Sequence, residues 1–171
     1  LPLFLRIAPE LYLKRLVVGG FDRVYEINKN FRNEGISIKH NPEFTSLEFY
    51  MAYATYETLM DLTEEMIRKV TLDVCGTTTI EYEGETIDFG KPFERLSVYD
   101  AVRRFCQPPE DIFTDEAKAF AYAESRKVPV KKGDSHGKIM MALFEQFGEE
   151  KLRQPTFLTD FPLEVSPLAR K

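Results

Sequence analysis

The sequence feature that most constrains the fold is a polar loop placed between two strand-like segments in the first third of the chain. Residues 44–53 alternate with the two-residue period of a β-strand, and residues 24–27 form a shorter segment of the same kind. The intervening residues 33–42 are polar and rich in turn formers. The two faces of the longer strand carry Leu47, Phe49 and Met51 on one side and Ser46, Glu48 and Tyr50 on the other. The pattern predicts a strand–loop–strand unit with a carboxylate and a phenol side by side on its less apolar face.

A helix is predicted directly before this unit. Pro9 is tolerated in a first helical turn, and the carboxylate of Glu10 suits the positive end of the helix dipole. Leu13, Leu16 and Val17 give the segment an apolar side. The pair Gly19 and Gly20 then ends it.

The remaining sequence alternates between helical and extended patterns. An amphipathic helix is predicted over residues 59–70, and Ser97 resembles the N-cap of another helix, which ends before Pro108. A hairpin is expected around residues 83–84. Two further helices and one strand are predicted at residues 115–126, 137–147 and 154–159. Helices mixed with antiparallel strand pairs predict the α+β class.

Composition places the chain among globular proteins. Hydrophobic residues make up 43% and charged residues 30%, and no apolar run approaches the roughly 20 residues of a membrane span. The formal net charge of −5 argues against a general polyanion-binding surface, so contacts with a nucleic acid would be local or made by another part of the protein. Cys75 and Cys106 have no metal-like spacing, which is typical of reduced thiols in a cytosolic protein.

The most informative stretch is residues 31–45. It places Arg32 at a strand end, the cationic pair Lys39 and His40 in the loop, and Phe44 at the start of the next strand. A strand–loop–strand unit brings these groups near one point. A planar cation, further positive groups and a ring face together suit the phosphates and the base of a nucleoside triphosphate.

The alternative interpretation is a solvated surface hairpin in which Arg32 and Glu34 pair with each other, as charged loops usually do. The sequence contains none of the familiar glycine-rich phosphate loops. A nucleotide site in this chain would therefore rely on side-chain cations rather than on a cradle of backbone amides.

Residues 31–45 resemble the second signature motif of the class II aminoacyl-tRNA synthetases, in which an Arg is followed two residues later by an acid, then by a loop, an Arg or His, and a Phe. Residues 5–21 are similar to the segment that precedes this motif in the lysyl-tRNA synthetases of bacterial type. Residues 165–170 are similar to a further landmark of that family. The resemblance covers essentially the whole chain.

The resemblance implies a catalytic core built on an antiparallel sheet flanked by helices. In the expected reaction, lysine and ATP give lysyl-adenylate and pyrophosphate, and the lysyl group then passes to tRNA(Lys). Arg32 is expected to bridge the lysine carboxylate and the α-phosphate, because a fixed guanidinium neutralises two anions that must approach each other. A carboxylate is already a nucleophile at neutral pH, so no general base is needed.

The resemblance also implies roles for the neighbouring residues. In the ATP site, Glu34 would hold the adenine amino edge, Phe44 would stack on the base, and the outer phosphates would be faced by Lys39, His40 and Asn41. Many family members have Arg in place of Lys39. In the lysine site, Glu10 would bind the α-ammonium, and Glu48 and Tyr50 would line the pocket of the side chain. His136 has no such support and is predicted to be a surface residue.

The chain is expected to be a part of a longer cytoplasmic, homodimeric enzyme. Its domain assignment is a partial catalytic domain over residues 1–171. The first signature motif with the dimer interface, the third motif with a second Arg, the Mg²⁺-holding acids and the anticodon-binding domain are expected outside it. The isolated fragment is therefore expected to be inactive, and no metal site or membrane contact is expected within it.

Two alternatives remain open. One is the paralogue that attaches a lysine-like group to an elongation factor, although its counterpart to residues 33–35 usually differs. The other is a catalytically silent binding module that keeps the motif, against which the retained Arg32, His40 and Phe44 argue. The aspartyl and asparaginyl relatives share the element at residues 42–45, but the Glu48 and Tyr50 continuation is of the lysine type.

Overall fold

Helices and short β-sheets alternate along the chain, which confirms the predicted mixture of α and β structure. The structure is a computed structural model that describes residues 2–38 and 40–169. It divides into two units, Leu1–Leu59 and Met60–Lys171. Each unit is described separately below.

The first unit consists of one helix and one long hairpin. Its elements are α1 (Glu10–Val18), β1 (Arg23–Phe31) and β2 (Glu43–Met51). The strands pair antiparallel in a continuous register from Arg23 opposite Met51 to Phe31 opposite Glu43. β1 is longer than the predicted four-residue segment, because pairing with β2 keeps the polar residues at its C-terminal end extended.

Helix α1 begins and ends as its sequence predicts. It starts directly after Pro9, which has no side-chain capping bond, and carries Glu10 in its first turn. The N–H of Gly19 donates to the carbonyl of Arg15 at 2.8 Å, and Gly20 follows with a φ of 105°. Leu13 is the buried residue of the helix.

The faces of the hairpin are used differently from what their polarity suggests. Tyr25 is 72% exposed and Leu47 is 41% exposed on the apolar face, whereas Asn30 is fully buried on the polar face. Helix α1 contacts both strands, and the Nζ of Lys14 lies 5.8 Å from the centre of the Tyr50 ring. The helix therefore lies on the polar face of the hairpin and leaves the apolar face open.

The second unit contains most of the helices. Helix α2 spans Tyr56–Cys75 and crosses the unit boundary in sequence. The further elements are β3 (Thr79–Tyr82), β4 (Glu85–Asp88), β5 (Glu94–Ser97), α3 (Val98–Cys106), α4 (Glu116–Ser125), α5 (His136–Phe147) and β6 (Thr156–Thr159). Short 3₁₀ turns lie at Glu110–Phe113 and Glu149–Lys151.

The sheets of the described residues differ from the single antiparallel sheet that was expected. They form three two-stranded sheets, β1–β2, β3–β4 and β5–β6. The β3–β4 hairpin turns at Glu83 and Gly84, as predicted, and both residues have positive φ. β5 and β6 pair in parallel, because the helices between them form the long crossover that a parallel pair requires.

The core of the second unit is apolar and well defined. Its largest fully buried side chains are Val98, Val102, Ile112, Ile139, Met140 and Leu143. Ser97 caps α3, since its Oγ accepts from the N–H of Asp100 at 3.0 Å, as its sequence predicts. Cys75 is exposed, Cys106 is buried, and both are free thiols. Among the described residues, no helix has the length and apolar character needed to cross a membrane.

Candidate active site on the N-terminal hairpin

The loop between β1 and β2 is closed by backbone hydrogen bonds. The N–H of Arg32 donates to the carbonyl of Pro42 at 2.9 Å. Ser37 and His40 exchange backbone hydrogen bonds of 2.9 and 3.3 Å, and the Oγ of Ser37 lies 3.0 Å from the Nδ1 of His40. Gly35 has a φ of 83°, a conformation that favours glycine. These contacts connect the described residues on the two sides of the loop.

The loop and the adjoining strand ends line an open cavity of about 410 Å³. The residues that line it are Arg32, Glu34, Ser37, Ile38, His40, Asn41 and Phe44. All the described residues that the sequence assigns to an ATP site therefore lie around one cavity. Lys39 lies outside the described residues, as does Arg170 of the C-terminal landmark.

Arg32 is held at one nitrogen and exposed at its end. Its Nε donates to the carbonyl of Ile7 at 3.3 Å, and its guanidinium carbon lies 5.3 Å from the centre of the Phe44 ring. Within residues 2–38 and 40–169, no ion pair joins Arg32 to Glu34. The alternative interpretation, a self-neutralised surface hairpin, required that pair. The arrangement instead presents a planar cation beside a ring face.

The polar face of β2 carries a hydrogen-bonded carboxylate and phenol. The hydroxyl of Tyr50 donates to the Oε2 of Glu48 at 2.9 Å. Burial, then the hydrogen bond to Glu48, and then the charges of Glu48 and Glu10 raise the pKa of Tyr50 well above its ordinary value. The protonated hydroxyl of Tyr50 donates to Glu48, and this hydrogen bond orients the Glu48 carboxylate.

An alkylammonium group already lies at this end of the hairpin. The Nζ of Lys14 forms an ion pair with the Oε1 of Glu10 at 2.5 Å and lies over the ring of Tyr50. The side chains of Lys14 and Glu10 are each about half exposed. This is an ion pair between neighbouring turns of α1, and it places a positive charge near the ring of Tyr50.

The same face contains buried amides that the sequence interpretation missed. The Nδ2 of Asn30 donates to the Oγ of Ser46 at 2.6 Å, and its Oδ1 has no hydrogen-bond partner among the described residues. Neither side-chain polar atom of Asn28 completes a hydrogen bond of good geometry, although the side chain lowers the pKa of Glu26. Asn is depleted in strands, so two of them at alternate positions of a strand were the available signal.

The structure revises the prediction for His136 and bears on the expected Mg²⁺. The Nε2 of His136 lies 2.7 Å from the carbonyl oxygen of Ile112, so this partly buried ring links α5 to the 3₁₀ turn in the second unit. Among the residues that the structure describes, no three His, Cys, Asp or Glu side chains form a group that could hold a metal ion.

The strand–loop–strand unit with its arginine, loop histidine and stacking ring is the arrangement expected of a class II synthetase. Residues 2–171 match the family of tRNA synthetases class II (D, K and N), and the chain belongs to this family.

The individual relatives narrow the comparison further. The lysine–tRNA ligase of Acinetobacter baumannii (strain AYE) is 55% identical over 173 residues, which cover 100% of this chain and 34% of that protein. The lysine–tRNA ligase of Aeromonas salmonicida (strain A449) is 56% identical over 176 residues, with 99% and 34% covered. The chain spans about a third of the length of the curated relatives it matches.

Proposed function

We propose that this chain forms part of the catalytic domain of a lysine–tRNA ligase of bacterial type. The complete protein would activate lysine with ATP to lysyl-adenylate and transfer the lysyl group to tRNA(Lys). The observation that carries the proposal is the single cavity around Arg32, Glu34, His40, Asn41 and Phe44. The names of the relatives support lysine as the amino acid, and tRNA(Lys) as the acceptor follows from it.

The activation step makes one bond and breaks one bond. A carboxylate oxygen of lysine attacks the α-phosphorus of ATP, and the bond from that phosphorus to the oxygen of the leaving pyrophosphate breaks. Arg32 is the catalytic residue, because its guanidinium would contact both the attacking carboxylate and the α-phosphate. The hydrogen bond from its Nε to the Ile7 carbonyl holds the planar group in place, so its outer nitrogens are oriented before the substrates arrive.

The other cavity residues would bind ATP around this centre. Phe44 would stack on adenine, and Glu34 would accept a hydrogen bond from the adenine amino group. His40, Asn41 and Lys39 would contact the outer phosphates. The hydrogen bond between Ser37 and His40 supports a fixed orientation of the imidazole toward the cavity.

Lysine would be bound by the polar face of the hairpin and the start of α1. Glu10 would accept the α-ammonium group, and Glu48 and Tyr50 would line the pocket of the side-chain ammonium group. The hydrogen bond from the hydroxyl of Tyr50 to the carboxylate of Glu48 supports this assignment, because it holds the two groups together on the polar face.

The rest of the catalytic domain would complete the site. We infer that the β1–β2 hairpin belongs to one larger antiparallel sheet flanked by helices, and the exposed apolar face with Tyr25, Ile27 and Leu47 supports a covering partner in the complete domain. The first and third signature motifs, the residues that hold Mg²⁺, the dimer interface and the anticodon-binding domain would lie in that remainder. The complete enzyme would be a cytoplasmic homodimer.

The test is the amino acid dependence of ATP–pyrophosphate exchange by the full-length protein. Lysine, aspartate and asparagine are the three amino acids to compare, since the family includes all three specificities. We expect exchange with lysine at least ~100-fold above exchange with the other two, since a site with polar groups for one side chain discriminates strongly against others, and we expect charging of tRNA(Lys) to follow. Preference for aspartate or asparagine would contradict the proposal. Adenylate formation without tRNA charging would indicate the elongation-factor paralogue, and ATP binding without exchange would indicate a silent module.

A further inference from the structure

A short segment before α1 runs along the end of β1 and connects to it through backbone and side-chain hydrogen bonds. We call residues 5–8 the strap. The N–H of Phe31 donates to the carbonyl of Arg6 at 2.9 Å, and the Nε of Arg32 donates to the carbonyl of Ile7 at 3.3 Å. The strap therefore accepts hydrogen bonds both from the last residue of β1 and from the candidate catalytic arginine.

The side chain of Arg6 fastens the strap to β1 at two further points. Its Nε donates to the carbonyl of Lys29 at 3.0 Å, and its Nη1 donates to the Oε1 of Glu26 at 2.6 Å. The side chain of Asn28, and then the hydrogen bond from Arg6, hold the pKa of Glu26 below its ordinary value. The lowered pKa means that the carboxylate, and with it the ion pair with Arg6, persists to a lower pH than for an ordinary glutamate.

The strap also fixes the start of α1. Pro9 is fully buried, and Glu10 follows as the first residue of the helix. Only three residues separate Arg6 from Glu10. A displacement of the strap would thus move two groups of the proposed site together, namely the carbonyl that holds Arg32 and the carboxylate of Glu10.

We propose that Arg6 is a positioning residue for lysine activation, acting through Arg32 and Glu10 without contacting the substrates. The inference rests on the proposed function. The planar guanidinium spans a carbonyl and a carboxylate at once, whereas the ammonium of a lysine at this position acts as a point charge. Misplacement of reacting groups by about 1 Å can cost on the order of 10²-fold in rate, so a remote clamp has a large kinetic effect.

The test uses full-length protein with Arg6→Gln, Arg6→Lys and the control Arg23→Gln. Arg23 is an exposed arginine at the start of β1, and the strap contacts the other end of this strand. For each variant, the kcat of pyrophosphate exchange and the KM values for lysine and ATP are measured separately. We expect Arg6→Gln to lower kcat about 10- to 100-fold and to raise the KM for lysine more than that for ATP. The kcat and the KM for lysine of Arg6→Lys should lie between those of Arg6→Gln and those of the unmodified protein. Both values for Arg23→Gln should stay within about twofold of the unmodified protein.

The separation of KM from kcat distinguishes positioning from mere loss of folded protein. A smaller folded fraction lowers the apparent kcat and leaves the KM for lysine unchanged, and that outcome would overturn the inference. Normal kinetics of Arg6→Gln would overturn it as well. Arg6→Lys keeps the charge and gives the same test if Arg6→Gln unfolds. Absence of lysine-dependent exchange in the unmodified protein would overturn the proposed function, and this inference with it.

Discussion

The two units of the chain use their side chains in opposite ways. The second unit buries aliphatic residues from several helices, such as Ile139 and Leu143, in its own core. The first unit buries little apolar surface and leaves Tyr25 and Leu47 exposed. Its hairpin is held by a nine-residue strand ladder and by arginine clamps instead. Side chains that are not committed to packing are available for ligands, and the candidate site lies in the first unit.

The stability difference between the units can be tested with one leucine from each. Leu143 is fully buried in the second unit, and Leu47 is 41% exposed in the first. We expect Leu143→Ala to lower the free energy of unfolding by about 2–5 kcal/mol and Leu47→Ala by only about 0.5 kcal/mol. Hydrogen–deuterium exchange of the 171-residue chain in urea, followed separately for residues 2–59 and 60–169, measures both. Equal losses would show that the apolar face of the hairpin is packed as tightly as the core.

The claim that the first unit, and not the second, contains the catalytic residue is tested most strongly at Arg32. Arg32→Lys in the full-length protein should lose pyrophosphate exchange nearly as badly as Arg32→Ala, because lysine keeps the charge but offers no planar fork to two anions. Removal of one preorganised donor costs about 10²–10³ in rate. Arg104→Lys in the second unit, where Arg104 pairs with Glu94, is the matched control and should retain exchange. If the exchange rate of Arg32→Lys lies within a few-fold of that of the unmodified enzyme, Arg32 does not bridge the two anions.

Phe44 separates the binding of ATP from the binding of lysine within the first unit. We expect Phe44→Ala to weaken ATP binding by about 1–3 kcal/mol, the contribution of one stacked base, with a smaller effect on lysine. Isothermal titration with each ligand measures both affinities. Phe21→Ala, at an exposed phenylalanine of the same unit, is the control. Equal losses for the two ligands would identify Phe44 as a packing residue.

Lys14 gives the smallest expected effect, with an unusual sign. Its ammonium group forms an ion pair with the carboxylate of Glu10 and lies over the ring of Tyr50. The α-ammonium of substrate lysine must therefore displace it from Glu10. We expect Lys14→Gln to lower the KM for lysine by about 1.5- to 5-fold, as the removal of an exposed ion pair of about 0.2–1 kcal/mol allows. Lys69→Gln removes the comparable ion pair with Asp73 in α2 and should leave the KM unchanged. A higher KM for lysine in Lys14→Gln would show that Lys14 supports the site instead.

Local sequence signals predicted most of the elements in both units. The glycine pair after α1, the positive-φ turn of the β3–β4 hairpin and the Ser97 cap each depend on residues only a few positions apart. Such features can be predicted from the sequence because all the residues that determine them lie within one short segment. The prediction that a loop brings arginine, histidine and phenylalanine together also depended on neighbouring segments alone.

The features that were missed depend on contacts between distant segments. β5 and β6 pair across the whole helical crossover, and no local pattern states that they run parallel. Asn30 is fully buried although it lies on the polar face, which polarity alone assigns to solvent. The contacts of Arg6 with β1 join residues 20 and 23 positions apart, and no motif marks them. The ligand roles of Arg32, Glu48 and Tyr50 came from the family resemblance and remain predictions.

The most direct test of the central claim locates both substrates on the first unit. Hydrogen–deuterium exchange of the full-length protein is compared without ligand, with a non-hydrolysable ATP analogue, and with lysine. We predict that the analogue slows exchange in residues 32–44 and that lysine slows it in residues 8–14 and 46–52, while the core of the second unit does not change. Arg32→Ala should abolish the first effect. Ligand binding that leaves the first unit unchanged, or protects only residues 60–171, would contradict the account.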